Sequence, residues 1–229
     1  MRSTELPLKA RFKRWMYQVG LDRLDLNRDL DNRYIYFHVP KTAGTAIAQG
    51  LGLPRTYHTS YRRAEYYLDT EIDRYFTFSF VRNPFDRFLS LYYYARLNQS
   101  AHHSSLAGEK STYGKHSDYD LLKNASMKEC AQYLLEGRLQ HDRHWNHWNP
   151  QSFWLKNERD EINLDFIGRF ETIEESVQEI NARLETNITL QKTNASRASS
   201  DYSAMYDTET KGIISKYYAE DLDRFEYQF

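Results

Sequence analysis

Three short runs of apolar and β-branched residues lie along the chain, and each is followed by a more polar segment. Residues 34–39 and 75–81 are almost continuously apolar or aromatic, and residues 162–168 form a weaker third run. Short runs of this kind, bounded by loop residues, are typical of buried strands. The pattern therefore predicts three strands in the core of the protein.

Segments with apolar residues at helical spacing separate and follow these strands. Thr172 and Glu175 have the spacing of a capping box and predict the start of a helix that reaches about Glu185. The alternation of strand, loop and helix predicts an α/β fold with a parallel sheet covered by helices. The other predicted helices cover residues 4–24, 45–51, 84–97, 119–136 and 208–222.

The chain of 229 residues contains no linker rich in proline, glycine or serine. We therefore expect a single domain over residues 1–229, with residues 1–30 as an N-terminal helical extension. A solvated surface helix is the favoured interpretation of that extension, and contact with a membrane or a partner is the alternative. Its basic residues are Lys9, Arg11, Lys13 and Arg14.

Composition and charge narrow the functional classes. The chain has 31 Lys and Arg against 32 Asp and Glu, and this net charge of -1 argues against a dedicated nucleic-acid binder. The single cysteine, Cys130, excludes an intrachain disulfide and fits a reducing compartment. No apolar run long enough for a membrane span and no secretory signal occur. The sequence favours a cytoplasmic location, with the Golgi lumen as the alternative if an anchor has been removed.

The loop that follows the first predicted strand has the chemistry of an oxyanion site. Pro40-Lys41-Thr42-Ala43-Gly44-Thr45 joins this strand to a predicted helix. Gly44 allows close backbone approach, Lys41 supplies charge, and the first amides of the helix have no partners within it. The loop lacks the Gly-Lys-Ser/Thr ending of a Walker A motif. An ordinary turn remains the alternative at this point.

A second oxyanion site is predicted where the strand at residues 75–81 ends. Arg82 follows this strand directly, and Ser90 lies about two turns into the next helix. An arginine fork and a serine hydroxyl can hold one phosphate group between them. Local pairing with Asp86 would explain Arg82 alone, and simple packing would explain Ser90 alone. Neither explains two such loops at the carboxyl ends of two strands, where ligands of parallel sheets bind.

The two loops together resemble the nucleotide-binding motifs of the carbohydrate sulfotransferases. Residues 38–45 resemble the 5'-phosphosulfate loop of the heparan sulfate 2-O- and chondroitin sulfotransferases and their bacterial relatives. Residues 80–90 resemble the 3'-phosphate motif of the same group, and residues 165–171 and 194–196 also fit. The resemblance spans about residues 34–229. It implies a P-loop-NTPase-like parallel sheet flanked by helices, in a single domain.

The resemblance also implies a donor and a set of residue roles. The donor is 3'-phosphoadenosine 5'-phosphosulfate (PAPS), and no metal is required. Lys41 is expected to stabilise the leaving phosphate. Arg82 and Ser90 are expected to hold the 3'-phosphate, and Arg197 to close over the nucleotide. The 5'-phosphate is expected to be held by Lys41, Thr42, Ala43, Gly44 and Thr45.

The acceptor side is less sharply defined. His58 stands where related enzymes carry a proposed general base, and His147 or a carboxylate is the alternative. The expected carbohydrate-binding residues are His147, Trp148 and Gln151. A zinc site at His141, His144 and His147 is disfavoured, because no H-E-x-x-H motif occurs.

Two other functions stay open on the sequence alone. A P-loop-type nucleotide kinase would bind ATP with magnesium, and a non-catalytic module would bind the nucleotide without turnover. The missing Walker A ending and the Arg82/Ser90 pair count against the kinase. Lys41 and a candidate base count against the module. The sequence identifies neither the particular acceptor nor the oligomeric state.

Overall fold

The structure is a computed structural model that describes residues 8–20, 22–31, 33–53, 56–99, 114–139, 146–190 and 202–229. Its strands are β1 (Asn27–Asp29), β2 (Tyr34–Phe37), β3 (Phe76–Val81) and β4 (Phe166–Arg169). Short 3-10 helices occupy Asp69–Arg74 and Ser203–Met205. The α-helices are α1 (Leu8–Gln18), α2 (Gly44–Gly50), α3 (Tyr61–Leu68), α4 (Pro84–Ala95), α5 (Tyr119–Leu122), α6 (Met127–Leu135), α7 (Gln151–Leu155), α8 (Ile173–Leu184), α9 (Thr208–Tyr217) and α10 (Ala219–Arg224).

The four strands form one sheet in the order β1-β2-β3-β4. β2 and β3 are parallel, with Tyr34 opposite Phe76, whereas β1 runs antiparallel to β2. The predicted α/β fold with a largely parallel sheet flanked by helices is confirmed. The sequence analysis missed β1, because its residues Asn-Arg-Asp are polar. The side chain of Asn27 fixes the start of this strand, because its Nδ2 donates to the Tyr36 carbonyl (3.0 Å).

Helices cover the sheet because its side chains are apolar on both faces. On one face, Tyr36 and Phe78 stack at 5.2 Å between ring centroids, and they share a core cluster with residues of α2 and α8. Alternate residues of a strand point to opposite faces. Phe37 accordingly lies on the other face, where its ring contacts Tyr61 of α3 at 5.2 Å. This double burial explains why β2 is an uninterrupted apolar run.

The described residues pack as two compact units that alternate along the chain. The first lies within residues 1–39, 43–80 and 152–190 and contains the sheet core just described. The second lies within residues 40–42, 81–151 and 191–229. Its own core joins α4, α6 and α9 with Trp148. The expectation of a single domain over residues 1–229 stays a prediction.

Several predicted boundaries move for identifiable reasons. The third strand begins at Phe166 rather than residue 162. Just before it, the Asp165 carboxylate accepts from the Thr77 backbone N–H (2.7 Å), and the Asp165 backbone N–H donates to the Thr77 carbonyl (2.9 Å). The final predicted helix divides at Tyr218, whose buried hydroxyl donates to the Trp148 carbonyl (2.8 Å). Specific tertiary hydrogen bonds thus overrode the local pattern.

The capping-box prediction at Thr172 was wrong in its detail. Thr172 is the N-cap of α8, but its side chain makes no capping hydrogen bond. A capping box occurs instead at Ser126 and Glu129, where the Ser126 hydroxyl accepts from the Glu129 backbone N–H (3.2 Å). That box starts α6 and divides the helix predicted over residues 119–136 into α5 and α6.

The N-terminal helix ends earlier than predicted, since α1 ends at Gln18 and Gly20 follows with a positive φ of 77°. It is fixed to the first unit by Arg14, which donates to the Tyr66 carbonyl (2.9 Å) and to the Asp69 carboxylate (2.6 Å). In the part of the chain that the structure describes, no helix has the length and apolar character needed to cross a membrane.

Candidate active site

The loop between β2 and α2 has an unusual backbone. Lys41 and Ala43 both have positive φ, at 69° and 65°, although neither is glycine. Such conformations cost free energy in residues with a Cβ, and they cluster at ligand-binding sites where the surrounding structure enforces them. Of the two threonines expected to donate to a phosphate, Thr42 is fully buried and Thr45 is exposed.

A buried arginine of α4 holds the backbone of this loop in its conformation. Arg87 is fully buried, and its Nε donates to the Pro40 carbonyl (2.9 Å), immediately before Lys41. Its Nη2 donates to the carbonyls of His147 (2.7 Å) and Asn149 (3.0 Å). The sequence analysis missed this role. The available signal was a charged residue between Phe85, Phe88 and Leu89 on the apolar face of a helix.

The ammonium group of Lys41 lies over an aromatic ring. Its Nζ is 4.3 Å from the centroid of Tyr94, a cation–π contact. Loss of surrounding water lowers the pKa of Lys41 to about 8, and the nearby Arg82 guanidinium adds to this effect. Both causes disfavour the charged form of Lys41, and a bound phosphate would raise its pKa again.

Arg82 joins the second predicted loop to the first. Its Nη1 donates to the backbone carbonyl of Lys41 (3.2 Å). Its Nε and Nη2 contact the same carboxylate oxygen of Asp86, at 2.8 and 2.7 Å. The local Arg82–Asp86 pair that the sequence allowed is therefore present. It coexists with the contact to Lys41, and the two cations of the predicted nucleotide site lie together within the second unit.

One face of α4 lies beneath both cations. Asp86, Ser90 and Tyr94 are spaced four residues apart, so they share a side of the helix. Asp86 binds Arg82, Tyr94 lies under Lys41, and Ser90 is between them along the helix. Ser90 thus lies on the helix that follows Arg82, and its role in holding a phosphate stays a prediction.

The predicted carbohydrate-binding residues lie in the core of the second unit. Gln151 is fully buried, and its side-chain amide both accepts from the Arg82 backbone N–H and donates to the Arg82 carbonyl, each at 2.8 Å. Trp148 is fully buried and donates to the Asp118 carboxylate (2.8 Å). His147 is buried and offers its carbonyl to Arg87. Gln151 and His147 thus contact Arg82 and Arg87, whereas Trp148 contacts Asp118. Their expected role in binding an acceptor stays a prediction.

The ring of His38 leaves no room for a side chain at position 44. A Cβ added at Gly44 would lie 1.7 Å from Nε2 and 1.9 Å from Cδ2 of His38. His38 is buried between β2 and the loop, so its ring has little room to retreat. The glycine thus serves close packing beside the loop as well as any approach of a ligand.

Replacing Gly44 with alanine should strain the loop severely. We expect Gly44→Ala to lower the melting temperature by about 5 °C or more, because overpacking a buried site costs a few kcal/mol. Thermal unfolding would measure the shift. Gly212→Ala is the matched control, since its added Cβ would meet nothing within 4 Å beyond the neighbouring residues and backbone of its own helix. The double variant His38→Ala/Gly44→Ala should recover part of the loss, and no recovery would contradict the assigned clash.

His58, the predicted base, lies in the first unit beside His38. Its Nδ1 is 3.0 Å from the His38 carbonyl oxygen, and the two rings are 4.2 Å apart between centroids. A carbonyl oxygen can only accept, so Nδ1 must carry the proton. In the neutral ring the lone pair is therefore on Nε2. The ring of Trp154 supports His58 from another side, at 5.9 Å.

Two expectations fall wholly or partly outside the described residues. Arg197 lies outside them, as do His141 and His144. Within the ranges that the structure describes, no group of three or more His, Cys, Asp or Glu side chains could hold a metal ion.

Of three comparisons with known proteins, one found a match. A sequence model described as the sulfotransferase family matches residues 25–228. No curated protein matches significantly. No solved structure matches significantly either. The matched range includes both loops, His58 and nearly the whole chain. The chain therefore belongs to the sulfotransferase family.

Proposed function

We propose that the protein transfers the sulfuryl group of PAPS to a hydroxyl group of a carbohydrate and releases 3'-phosphoadenosine 5'-phosphate (PAP). The observation that carries this proposal is the contact between Arg82 and the Lys41 carbonyl (3.2 Å). It brings together two cations that the sequence places in separate loops. PAPS carries phosphate groups at two positions of one ribose, so adjacent cations match its charge distribution.

Arg82 and Ser90 are the proposed ligands of the 3'-phosphate. A guanidinium has five N–H donors, enough to hold Asp86 and a phosphate at once. Arginine is also the residue best suited to bind phosphate through two parallel hydrogen bonds. The clamp that Gln151 forms on the Arg82 backbone fixes the start of this side chain. The site would therefore need little reorganisation when the nucleotide binds.

The Lys41 loop is the proposed site of the 5'-phosphosulfate. An acceptor oxygen attacks the sulfur, and the bond between sulfur and the bridging oxygen of the 5'-phosphate breaks. The electron pair of that bond remains on the phosphate of PAP. The Lys41 ammonium stabilises this developing charge, which is where fixed positive charge lowers a barrier most. Thr42, Ala43, Gly44 and Thr45 complete the loop around the same phosphate.

His58 is the proposed general base. Its Nδ1–H is held by the His38 carbonyl, so Nε2 is the atom that takes the proton of the acceptor hydroxyl. The bond to His38 also fixes the ring plane, as in other catalytic histidines that are oriented by a hydrogen bond. His38 lies three residues before Lys41 in the same loop.

The variant His58→Asn separates the two roles proposed for His58, which are the hydrogen bond to the His38 carbonyl and the acceptance of a proton. The side-chain amide of asparagine can still donate to the His38 carbonyl, but it cannot accept a proton. We expect His58→Asn to lower kcat by about a hundredfold or more. PAP affinity, measured by calorimetry, should stay near the wild-type value. Unchanged kcat would contradict the assignment of His58 as the base.

The lowered pKa of Lys41 predicts a pH dependence of nucleotide binding. Binding of an anion favours the ammonium form, which the free protein loses as pH rises through about 8. PAP affinity should therefore be nearly constant between about pH 7 and 8 and fall about tenfold per unit above that. In Lys41→Arg the cation does not titrate in this range, so the decline should disappear. An equal decline in both proteins would assign the effect to another group.

An exposed aromatic side chain supports a carbohydrate acceptor. Phe153 is about half exposed, and its ring contacts Trp154 at 5.5 Å. Trp154 in turn contacts His58. An accessible ring near the proposed base suits stacking against the face of a sugar. This support adds to the resemblance of the loops to those of the carbohydrate sulfotransferases, and Phe153 takes the stacking role that the sequence analysis gave to Trp148.

A transfer assay tests the proposed function. The protein is incubated with PAPS labelled in its sulfate group and with a panel of acidic and neutral glycans. We expect label on at least one glycan and an equal amount of free PAP. PAP binding without transfer to any glycan or small alcohol would favour a non-catalytic module. Hydrolysis of ATP in place of transfer would favour the kinase.

A further inference from the structure

An apolar stripe on α1 is exposed rather than packed. Phe12, Trp15 and Val19, spaced three and four residues apart, remain 58%, 50% and 48% exposed, respectively. The turn continues to Val19, whose backbone N–H donates to the Trp15 carbonyl (3.0 Å). The rings of Phe12 and Trp15 are 5.8 Å apart between centroids. These three residues form a continuous apolar surface, called here the α1 stripe.

The opposite side of α1 already has its partner within the first unit. Arg14 bonds to the Tyr66 carbonyl and to Asp69, and the ring of Tyr17 contacts Tyr67 at 5.5 Å. At about 100° per residue, Arg14 and Tyr17 lie on the far side of the helix from Phe12. The α1 stripe is therefore not the face by which the helix docks on its own protein.

Positive charge borders the α1 stripe on both sides. Arg11 and Lys13 are exposed and lie about 100° to either side of Phe12. α1 contains no Asp or Glu. The carboxylate of Asp69 accepts from Arg14 (2.6 Å), and that of Asp22, just after the helix, accepts from the Tyr67 hydroxyl (2.8 Å). The exposed face thus combines aromatic rings with a basic margin.

We propose that α1 lies flat on an anionic lipid surface. In this arrangement Phe12, Trp15 and Val19 enter the boundary between headgroups and acyl chains, and Arg11 and Lys13 contact lipid phosphates. Aromatic residues between basic ones are the features that hold helices in this position. The inference does not depend on the sulfuryl-transfer reaction.

Two other occupants fit the α1 stripe less well. A second copy of the chain would bring Arg11 and Lys13 of two helices together without an acidic residue in either helix. A protein that wraps a basic amphipathic helix needs most of its circumference, and Arg14 and Tyr17 already occupy one side. A flat, negatively charged surface needs only the exposed face.

Vesicle sedimentation tests the proposal. The full chain is mixed with vesicles of phosphatidylcholine alone, or of equimolar phosphatidylcholine and phosphatidylglycerol. We expect binding to the anionic vesicles to be about tenfold tighter and to weaken as salt is added. Phe12→Ser/Trp15→Ser and Arg11→Gln/Lys13→Gln should each weaken binding about tenfold. Brominated lipid should quench the fluorescence of the wild type more than that of the variant without Trp15.

The matched controls lie elsewhere on the surface. Leu135→Ser removes an exposed apolar side chain at the end of α6, and Arg74→Gln removes an exposed charge. Both should bind anionic vesicles like the wild type. The proposal is overturned if the wild type fails to bind those vesicles, or if the controls weaken binding as much as the α1 variants. Self-association or capture of an acidic protein through the α1 stripe, without vesicle binding, would also overturn it.

Discussion

Lys41→Ala is expected to lower the rate of sulfuryl transfer by about a thousandfold while the protein stays folded. Loss of a fixed charge at the leaving group typically has an effect of this size. The ammonium group contacts the ring of Tyr94, an uncharged partner that its removal does not leave as an unpaired charge. Transfer of labelled sulfate under single-turnover conditions would measure the loss.

A second lysine provides a close control for this variant. Lys115 also lies over a tyrosine, with its Nζ 4.5 Å from the Tyr119 centroid, and it belongs to the same unit. Lys115→Ala should keep the wild-type rate. Near-wild-type transfer by Lys41→Ala would show that charge stabilisation comes from another group. Equal losses in both variants would point to a general effect of removing charge.

Arg82→Ala should remove the preference for a 3'-phosphate. We expect its affinity for PAP to fall about a hundredfold, since a charge-assisted, two-bond contact is lost. Adenosine 5'-monophosphate lacks the 3'-phosphate, so its affinity should change little. Calorimetric titration of both nucleotides would measure the ratio of affinities directly.

The same experiment needs a control for the loss of the ion pair between Arg82 and Asp86. Removing the arginine leaves the Asp86 carboxylate without its ion pair, which alone destabilises a protein. Arg82→Ala/Asp86→Ala removes both charges and should show the same loss of discrimination with better stability. Arg224→Ala removes another arginine paired at four-residue spacing, with Glu220 at 2.7 Å, and should leave both affinities unchanged. Retained discrimination in the double variant would assign the 3'-phosphate to a different site.

The sequence predicted those parts of the structure whose signal is local. The core strands and the helix at Pro84 followed from continuous apolar runs and helical spacing. The expectation that the loops of Lys41 and Arg82 both lie at carboxyl ends of strands rested on where parallel sheets bind their ligands. Each of these inferences used one segment or one general rule of topology.

Residues whose role depends on distant partners were not predictable in this way. The carbonyl acceptors of Arg87 belong to Pro40, His147 and Asn149, which lie 47, 60 and 62 residues from it in the sequence. Gln151 was named as an acceptor ligand from the resemblance of residues 147–151 to a family stretch, and the hydrogen bonds of its amide to the Arg82 backbone were not predicted. Short polar strands such as β1 lack any hydrophobic period and become visible only through pairing.

A structure of the protein bound to PAP would show whether Lys41 and Arg82 hold one nucleotide between them. We expect a single nucleotide with its 3'-phosphate within hydrogen-bonding distance of Arg82 and Ser90. Its 5'-phosphate should lie equally close to Lys41 and to the backbone amides that follow it. A nucleotide that contacts only one of the two cations, or neither, would show that they do not form a single site.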